Sequence, residues 1–365
     1  MMTKAAVLRD YSLSMPIEDV QLPSPVNDDI LVRVVAAGIC HTDIKVAQSM
    51  HLSPRPIILG HEGAGIVEAV GVDVAGIIPG DHVLLSFDYC ACCKPCLTSR
   101  PSYCDEAGPR TFSGKRIDGR TVVDIKGHSI HSSFFGQSSY ATHALASSRN
   151  CVKIDKRLPL ELLAPLGCSI QTGAGAILNS LGTKPDMSIA IFGLGAVGLS
   201  AIMAAKIAGA SVIIGVDVLE DRLDLALRLG ATHVIDGRTD DVLGKIRSVS
   251  PKGVDRSLDT SANDIAIEQA IECLGTFGVF GTLANKGPQH KLSVPILGSM
   301  LKAKSVRGIV QGDSMPQVFM PYLVEQFAAG ALDLRQLVQH FDFKQIDEAM
   351  QACDAGTAIK PVLLM

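Results

Sequence analysis

Two hydrophobic patterns divide the chain. Over roughly the first 150 residues, short apolar runs such as Ile30–Ala36 and Gly65–Val70 are cut apart by Pro23, Pro25, Pro54, Pro56 and the Pro79-Gly80 pair. Runs of this length with this punctuation predict strands joined by turns. From Met187 the pattern changes. Apolar strands at 188–192, 211–217, 233–236, 254–259 and 277–283 alternate with helical stretches at 196–208, 220–229 and 264–274. Such alternation predicts a parallel sheet with helices on both faces. After about residue 305 the regularity fades, and the chain is expected to return to its first region. The expected plan is therefore α/β: a β-rich domain over 1–168 and 306–365, interrupted by a doubly wound nucleotide-binding domain over 169–305.

A length of 365 residues suits two domains, and 47% hydrophobic against 19% charged residues describes a folded chain. A net charge of −4 gives no electrostatic reason to hold nucleic acid or an anionic membrane. With 4% aromatics and no Trp, base-stacking platforms are excluded as well. The N-terminus has no long apolar leader, so a cytoplasmic protein with reduced thiols is expected. Ser188–Ala205 is uncharged and long enough to cross a bilayer, but Gly193, Gly195 and Gly198 place a turn inside it.

The cysteines are clustered. Five of ten lie between residues 90 and 104, and Cys90, Cys93, Cys96 and Cys104 follow the spacing C-x2-C-x2-C-x7-C. Four thiolates on so short a lobe, residues 88–105, can converge on one tetrahedral ion, a geometry that suits zinc. Cys92 is left over.

The glycine run Gly193-Leu-Gly195-Ala-Val-Gly198 follows an apolar strand and opens a helix. In that context it predicts a dinucleotide site, with the pyrophosphate on the helix N-terminus. Asp217 ends the next strand, nineteen residues past Gly198. A carboxylate there accepts both ribose hydroxyls of NAD and repels a 2′-phosphate. At ~4 Å the repulsion is about 1 kcal/mol in water and about 4 at an effective dielectric of 20, which favours NAD over NADP. A second metal site is dispersed: Cys40 follows an apolar strand, His61 lies in Gly60-His-Glu-Gly63, and Cys168 lies far downstream. Two thiolates and an imidazole would leave the fourth zinc position open, as catalysis requires. Spacing alone leaves open whether these three meet or are separate core residues.

Taken together, Gly38-Ile-Cys-His-Thr-Asp43, Gly60-His-Glu-Gly-Ala-Gly65, the four-cysteine lobe, Gly167-Cys168 and the glycine loop resemble the zinc-dependent medium-chain alcohol dehydrogenase family, over about Lys4–Leu364. Ser133–Thr142 and Leu166–Ala176 are most similar to its aryl-alcohol (benzyl alcohol) and geraniol dehydrogenases. The resemblance implies a GroES-like catalytic domain plus a Rossmann cofactor domain. It implies two zinc ions per subunit, a catalytic one on Cys40, His61 and Cys168 and a structural one on the lobe. Thr42 would hydrogen-bond the alcohol oxygen, Asp43 would orient His61, and Glu62 would approach the metal during ligand exchange. His41, Thr172, Val197, Arg222 and Lys360 would join Gly193, Gly195, Gly198 and Asp217 in holding NAD. Phe87, Phe134 and Phe135 would line an alcohol channel, which favours flat apolar substrates.

The implied activity is oxidation of an aromatic or allylic primary alcohol to its aldehyde, reversibly, by a homo-oligomer, tetramer favoured over dimer. Lys45 departs from the family, where several relatives carry histidine as the end of a proton relay, and lysine is a poor relay near neutral pH. The proton is therefore expected to leave through Thr42 and the cofactor ribose, assisted by His41. A polyol or thiol-adduct dehydrogenase is an alternative. So is a non-catalytic nucleotide-binding relative, though such a chain would be free to lose Cys40, His61 or Thr42.

Overall fold

The structure, a computed structural model, describes residues 1–365. It divides into two compact units. The first contains Met1–Cys168, Met315–Phe327 and Leu337–Met365; the second contains Ser169–Ser314 and Ala328–Gln336.

The first unit is built on the strand Asp29–Gly38, whose run Asp-Ile-Leu-Val-Arg-Val-Val-Ala-Ala-Gly is apolar enough to be buried along almost its whole length. Gly63–Val70 pairs antiparallel along one edge, from Ile30 opposite Val70 to Ala37 opposite Gly63. The other edge is shared. His143–Ser147 covers residues 29–33, and the C-terminal strand Lys360–Leu364 covers residues 36–38. This register brings the C-terminal strand beside Gly38. A second sheet runs in the order Ile57–Ile58, Met2–Leu8, Ile17–Gln21, Val123–Ile125, His128–Ile130. The apolar faces of both sheets close over one core that includes Leu8, Ile30, Val67, Leu85 and Phe134.

The second unit is a six-stranded, all-parallel sheet. Its order is His233–Asp236, Val212–Asp217, Ser188–Phe192, Val254–Asp259, Leu274–Thr282, Ser305–Gly308. The first strand in sequence lies inside the sheet, flanked by the second and fourth, so the winding direction reverses there. Ligands bind at such switch points in open α/β sheets. The helix Ala196–Ile207 follows this strand, and most of it is buried. No helix of the protein is long and apolar enough to cross a membrane.

The expected return at residue 306 falls inside the sixth strand, which pairs with Leu274–Thr282 and stays with the second unit. All four of its residues are exposed, so no apolar run announced it.

Candidate active site

Three local devices position the dispersed donors. The strand Asp29–Gly38 delivers Cys40 to the N-cap of the helix His41–Gln48. Asp43, at the third position of that helix, reaches back to accept from the Cys40 N–H at 3.0 Å. A carboxylate in the first turn closes the helix end in this way and complements its dipole. Gly167 lets the chain before Cys168 pass against the sheet: a Cβ there would lie 2.2 Å from the Leu85 carbonyl oxygen. Gln137 does the same for His61. It donates to the His61 carbonyl at 2.9 Å and accepts from the Gly63 N–H at 3.0 Å.

These devices bring Cys40, His61, Glu62 and Cys168 together, with one donor atom of each within 4.8 Å of the others. Asp43 Oδ1 lies 3.0 Å from His61 Nδ1, and both side chains are fully buried. His61 Nε2 therefore faces the two sulfurs, and it is buried with no hydrogen-bond partner. Burial disfavours the charged imidazole, but the Asp43 carboxylate and Cys40 overcome this and push its pKa up to about 10. Cys40, beside Cys168, is held well below the usual thiol range despite its burial. The pocket thus favours positive charge among its donors. An orphaned imidazole nitrogen facing two thiols, one of them readily ionised, fits a zinc ion. Thr42 Oγ1 lies 3.8 Å from the Cys40 sulfur.

Lys360 sits elsewhere than expected. It is 1% exposed, and its ammonium donates to the Ile39 carbonyl at 2.7 Å and to both Glu62 oxygens at 3.1 and 2.9 Å. It is directed inward onto Glu62 rather than outward to a cofactor phosphate, because its strand pairs at residues 36–38 directly beside Glu62. The Glu62 carboxylate holds the ammonium above the ordinary lysine range against the cost of burial. Gly38 makes room for this pair, since a Cβ there would lie 2.1 Å from Glu62 Oε2.

Phe134 and Phe135 also differ from expectation. Phe134 is fully buried and edge-on to His61, with centroids 5.6 Å apart, so it supports the site from behind instead of lining a channel. Phe135 stacks on the imidazole at 4.4 Å and 22°. Phe87 is 5% exposed and tilted against Tyr89. His41 and Lys45 are exposed on the helix His41–Gln48.

The four-cysteine lobe is equally compact. Cys90 Sγ is 3.8 Å from Cys96 Sγ, Cys93 Sγ is 3.9 Å from Cys104 Sγ, and all four sulfurs lie within 4.8 Å. A tetrahedron with ~2.3 Å zinc–sulfur arms has edges of ~3.8 Å, so the lobe is shaped for that ion. Backbone N–H groups of Cys92 and Cys93 point at Cys90 Sγ, and those of Cys90 and Glu106 at Cys104 Sγ. These donors outweigh the burial of Cys90 and lower its thiol to about 6. Cys92 is exposed and stands outside the set.

In the second unit, Gly193 takes φ +86°, and a Cβ on Gly198 would lie 1.9 Å from the Gly193 carbonyl oxygen. Both positions therefore require glycine, and Gly195 caps the helix that follows, with Val197 in its first turn. Asp217 is 8% exposed and accepts from the Leu194, Val218 and Leu219 N–H groups at 2.6, 2.8 and 3.0 Å. Thr172, on the helix Ser169–Gly175, lies 3.3 Å from Gln311 Oε1, and Arg222 is half-buried in the first turn of Glu220–Leu229. Sequence reasoning missed Gln137, the inward turn of Lys360 and the role of Gly38. None has a periodic or spacing signal, because each acts through a contact distant in sequence.

Known proteins resemble this chain over nearly its whole length. A family model described as an alcohol dehydrogenase GroES-like domain matches residues 26–156, and one described as a zinc-binding dehydrogenase matches residues 196–328. The chain is 42% identical to a geraniol dehydrogenase of Castellaniella defragrans over 363 residues, 99% of this chain and 97% of that one. It is 32% identical to an alcohol dehydrogenase class-P of Arabidopsis thaliana, over 99% of this chain and 97% of the other. The crystal structure of a benzyl alcohol dehydrogenase from Acinetobacter calcoaceticus superposes with a TM-score of 0.97 at 39% identity, covering 100% of this chain and 99% of that one.

Proposed function

The chain belongs to the zinc-dependent medium-chain alcohol dehydrogenase family, and on that premise we propose that it oxidises aromatic or allylic primary alcohols to aldehydes, reversibly, with NAD as hydride acceptor. The observation that carries this reading is the convergence of Cys40, His61 and Cys168 around an unpartnered imidazole nitrogen. The names of the similar geraniol and benzyl alcohol dehydrogenases support the substrate class.

Cys40, His61 and Cys168 would hold a catalytic zinc, and Cys90, Cys93, Cys96 and Cys104 a structural one. Bound at the first site, zinc supplies Lewis-acid chemistry, lowering the pKa of an alcohol toward neutrality. Asp43 fixes the imidazole tautomer, so that Nε2 faces the donors. Thr42 would relay the proton leaving the substrate hydroxyl, giving up its own hydroxyl proton toward solvent as it takes the new one, with the exposed His41 assisting and Lys45 outside the route. Lys360 holds the Glu62 carboxylate in place.

Gly193, Gly195, Gly198 and Val197 would receive the pyrophosphate, Thr172 and Arg222 would contact the cofactor, and Asp217 would take the adenosine ribose. Cysteines gathered as metal donors suit a reducing compartment, the cytoplasm. The helix Ile296–Lys302 exposes Ile296, Leu297, Met300 and Leu301 by 69–77%. Such an apolar face supports a homo-oligomer, which we read as a tetramer.

A steady-state panel of benzyl alcohol, geraniol and ethanol, each with NAD and NADP, tests the proposal. It predicts higher kcat/KM for benzyl alcohol or geraniol with NAD. Equal or better turnover of ethanol would refute the substrate class, and a preference for NADP would refute the cofactor.

A further inference from the structure

The segment that carries Phe135 is fastened at both ends, to the His61 loop and to the four-cysteine lobe. On the His61 side it is laced to residues 58–63. Ser138 Oγ donates to the Ile58 carbonyl at 2.6 Å, Gln137 Nε2 to the His61 carbonyl, the Ser139 N–H to the Gly60 carbonyl and the Tyr140 N–H to the Leu59 carbonyl. On the lobe side, Gly136 lies so close to Asp88 that a Cβ there would be 2.6 Å from the Asp88 Cβ.

Asp88 precedes Cys90 by two residues and Glu106 follows Cys104 by two. Arg110, nearly buried, ties both together, donating to Asp88 at 2.7 Å and to Glu106 at 2.9 and 2.7 Å. Arg110 lies on the helix Ala107–Phe112, which starts directly after the lobe. At the end of this helix Phe112 meets Phe135 edge-on, with centroids 5.9 Å apart at 74°, and it is tilted against Phe134 at 6.2 Å. Phe135 in turn stacks on His61. It does so with φ +52°, a left-handed backbone that a bulky residue adopts only when its surroundings impose it.

We propose that Phe112 and Phe135 are positioning residues through which the four-cysteine lobe fixes the His61 imidazole, so that metal in the lobe tightens metal held by Cys40, His61 and Cys168. The inference rests on the metal assignments proposed above. It adds that the two sites are energetically coupled: a lobe that loses its ion releases the helix Ala107–Phe112, the edge contact of Phe112 with Phe135 loosens, and the imidazole gains freedom. An imidazole that is free to tilt is a weaker ligand.

The test uses the whole enzyme with cobalt at the His61 site, where the visible spectrum reports ligand geometry. Metal release to a chromophoric chelator is measured in parallel. Phe112→Ala is expected to change the cobalt spectrum and to speed release from the His61 site about two- to tenfold, the range an edge-on ring contact is worth. Phe112→Tyr keeps the ring and is expected to restore both. Cys93→Ser, which removes a lobe ligand, is expected to produce the same change, and the Cys93→Ser/Phe112→Ala double variant no more than either alone.

A cobalt spectrum and release rate unaltered by Phe112→Ala or by Cys93→Ser would overturn the proposal, and so would full additivity in the double variant. If the wild-type site takes up no cobalt, the underlying metal assignment fails instead, which the loading step shows separately.

Discussion

Removing the Lys360 ammonium tests how the buried charges beside the candidate metal site are balanced. Lys360 and Glu62 are 1% and 0% exposed, the ammonium contacts both carboxylate oxygens at 2.9 and 3.1 Å, and its remaining bond is to the Ile39 carbonyl. Lys360→Met keeps the side-chain volume and removes the cation held against the Glu62 carboxylate, which is out of reach of water. Breaking a buried pair from one side costs about 3–5 kcal/mol. That is a large share of the ~5–15 kcal/mol by which a folded domain is stable. Adding Glu62→Gln removes the carboxylate charge as well, so the double variant should recover more than half of the loss, a coupling of ~2 kcal/mol or more. Urea denaturation followed by tyrosine fluorescence reads the right unit. The chain has no Trp, and all five tyrosines, Tyr11, Tyr89, Tyr103, Tyr140 and Tyr322, lie in the first unit. A single variant within 1 kcal/mol of wild type, or a double variant no more stable than the single, would refute the reasoning.

Three further outcomes are expected. Asp43→Asn loses the anionic partner of His61 Nδ1 and should weaken metal at that site about 10–100-fold while leaving the lobe metal in place, as measured by competition with a chelator. Asp217→Asn keeps an acceptor for the Leu194 N–H but loses the charge, and should reduce the NAD over NADP ratio of kcat/KM by roughly ten- to a thousandfold. His131 has its pKa lowered below 6.5 by burial, only partly offset by its bond to the Pro56 carbonyl. The unfolded chain therefore binds a proton that the native state refuses. Stability should be flat in this group above pH 6.5 and fall as pH drops below it, and His131→Gln should remove that part of the slope.

The elements that could be read from sequence were those whose signal is local. The strand Ser188–Phe192 is buried over its whole length because both faces of a central parallel strand are covered, so it stands out, whereas His233–Asp236 and Val254–Asp259 carry polar residues and are legible only through their alternation with helices. The cysteine lobe and the glycine loop are spacing patterns within fifteen residues or fewer. The strand Ser305–Gly308 has no such signal, since an exposed edge strand buries nothing. Lys360 reads as a surface cation in isolation. Only the pairing of Lys360–Leu364 with residues 36–38, more than 300 residues earlier, turns it onto Glu62. The aromatic pair was legible as a pair but not in its orientation, because whether a ring faces a channel or a metal ligand is decided by the fold around it.

Zinc content, measured together with NAD-linked oxidation of benzyl alcohol or geraniol, in wild type and His61→Ala tests the central claim most directly. The account predicts about two zinc per wild-type chain and about one in the variant, with alcohol oxidation abolished. Equal zinc content and equal activity in the two proteins would contradict it, for the imidazole would then hold no catalytic ion.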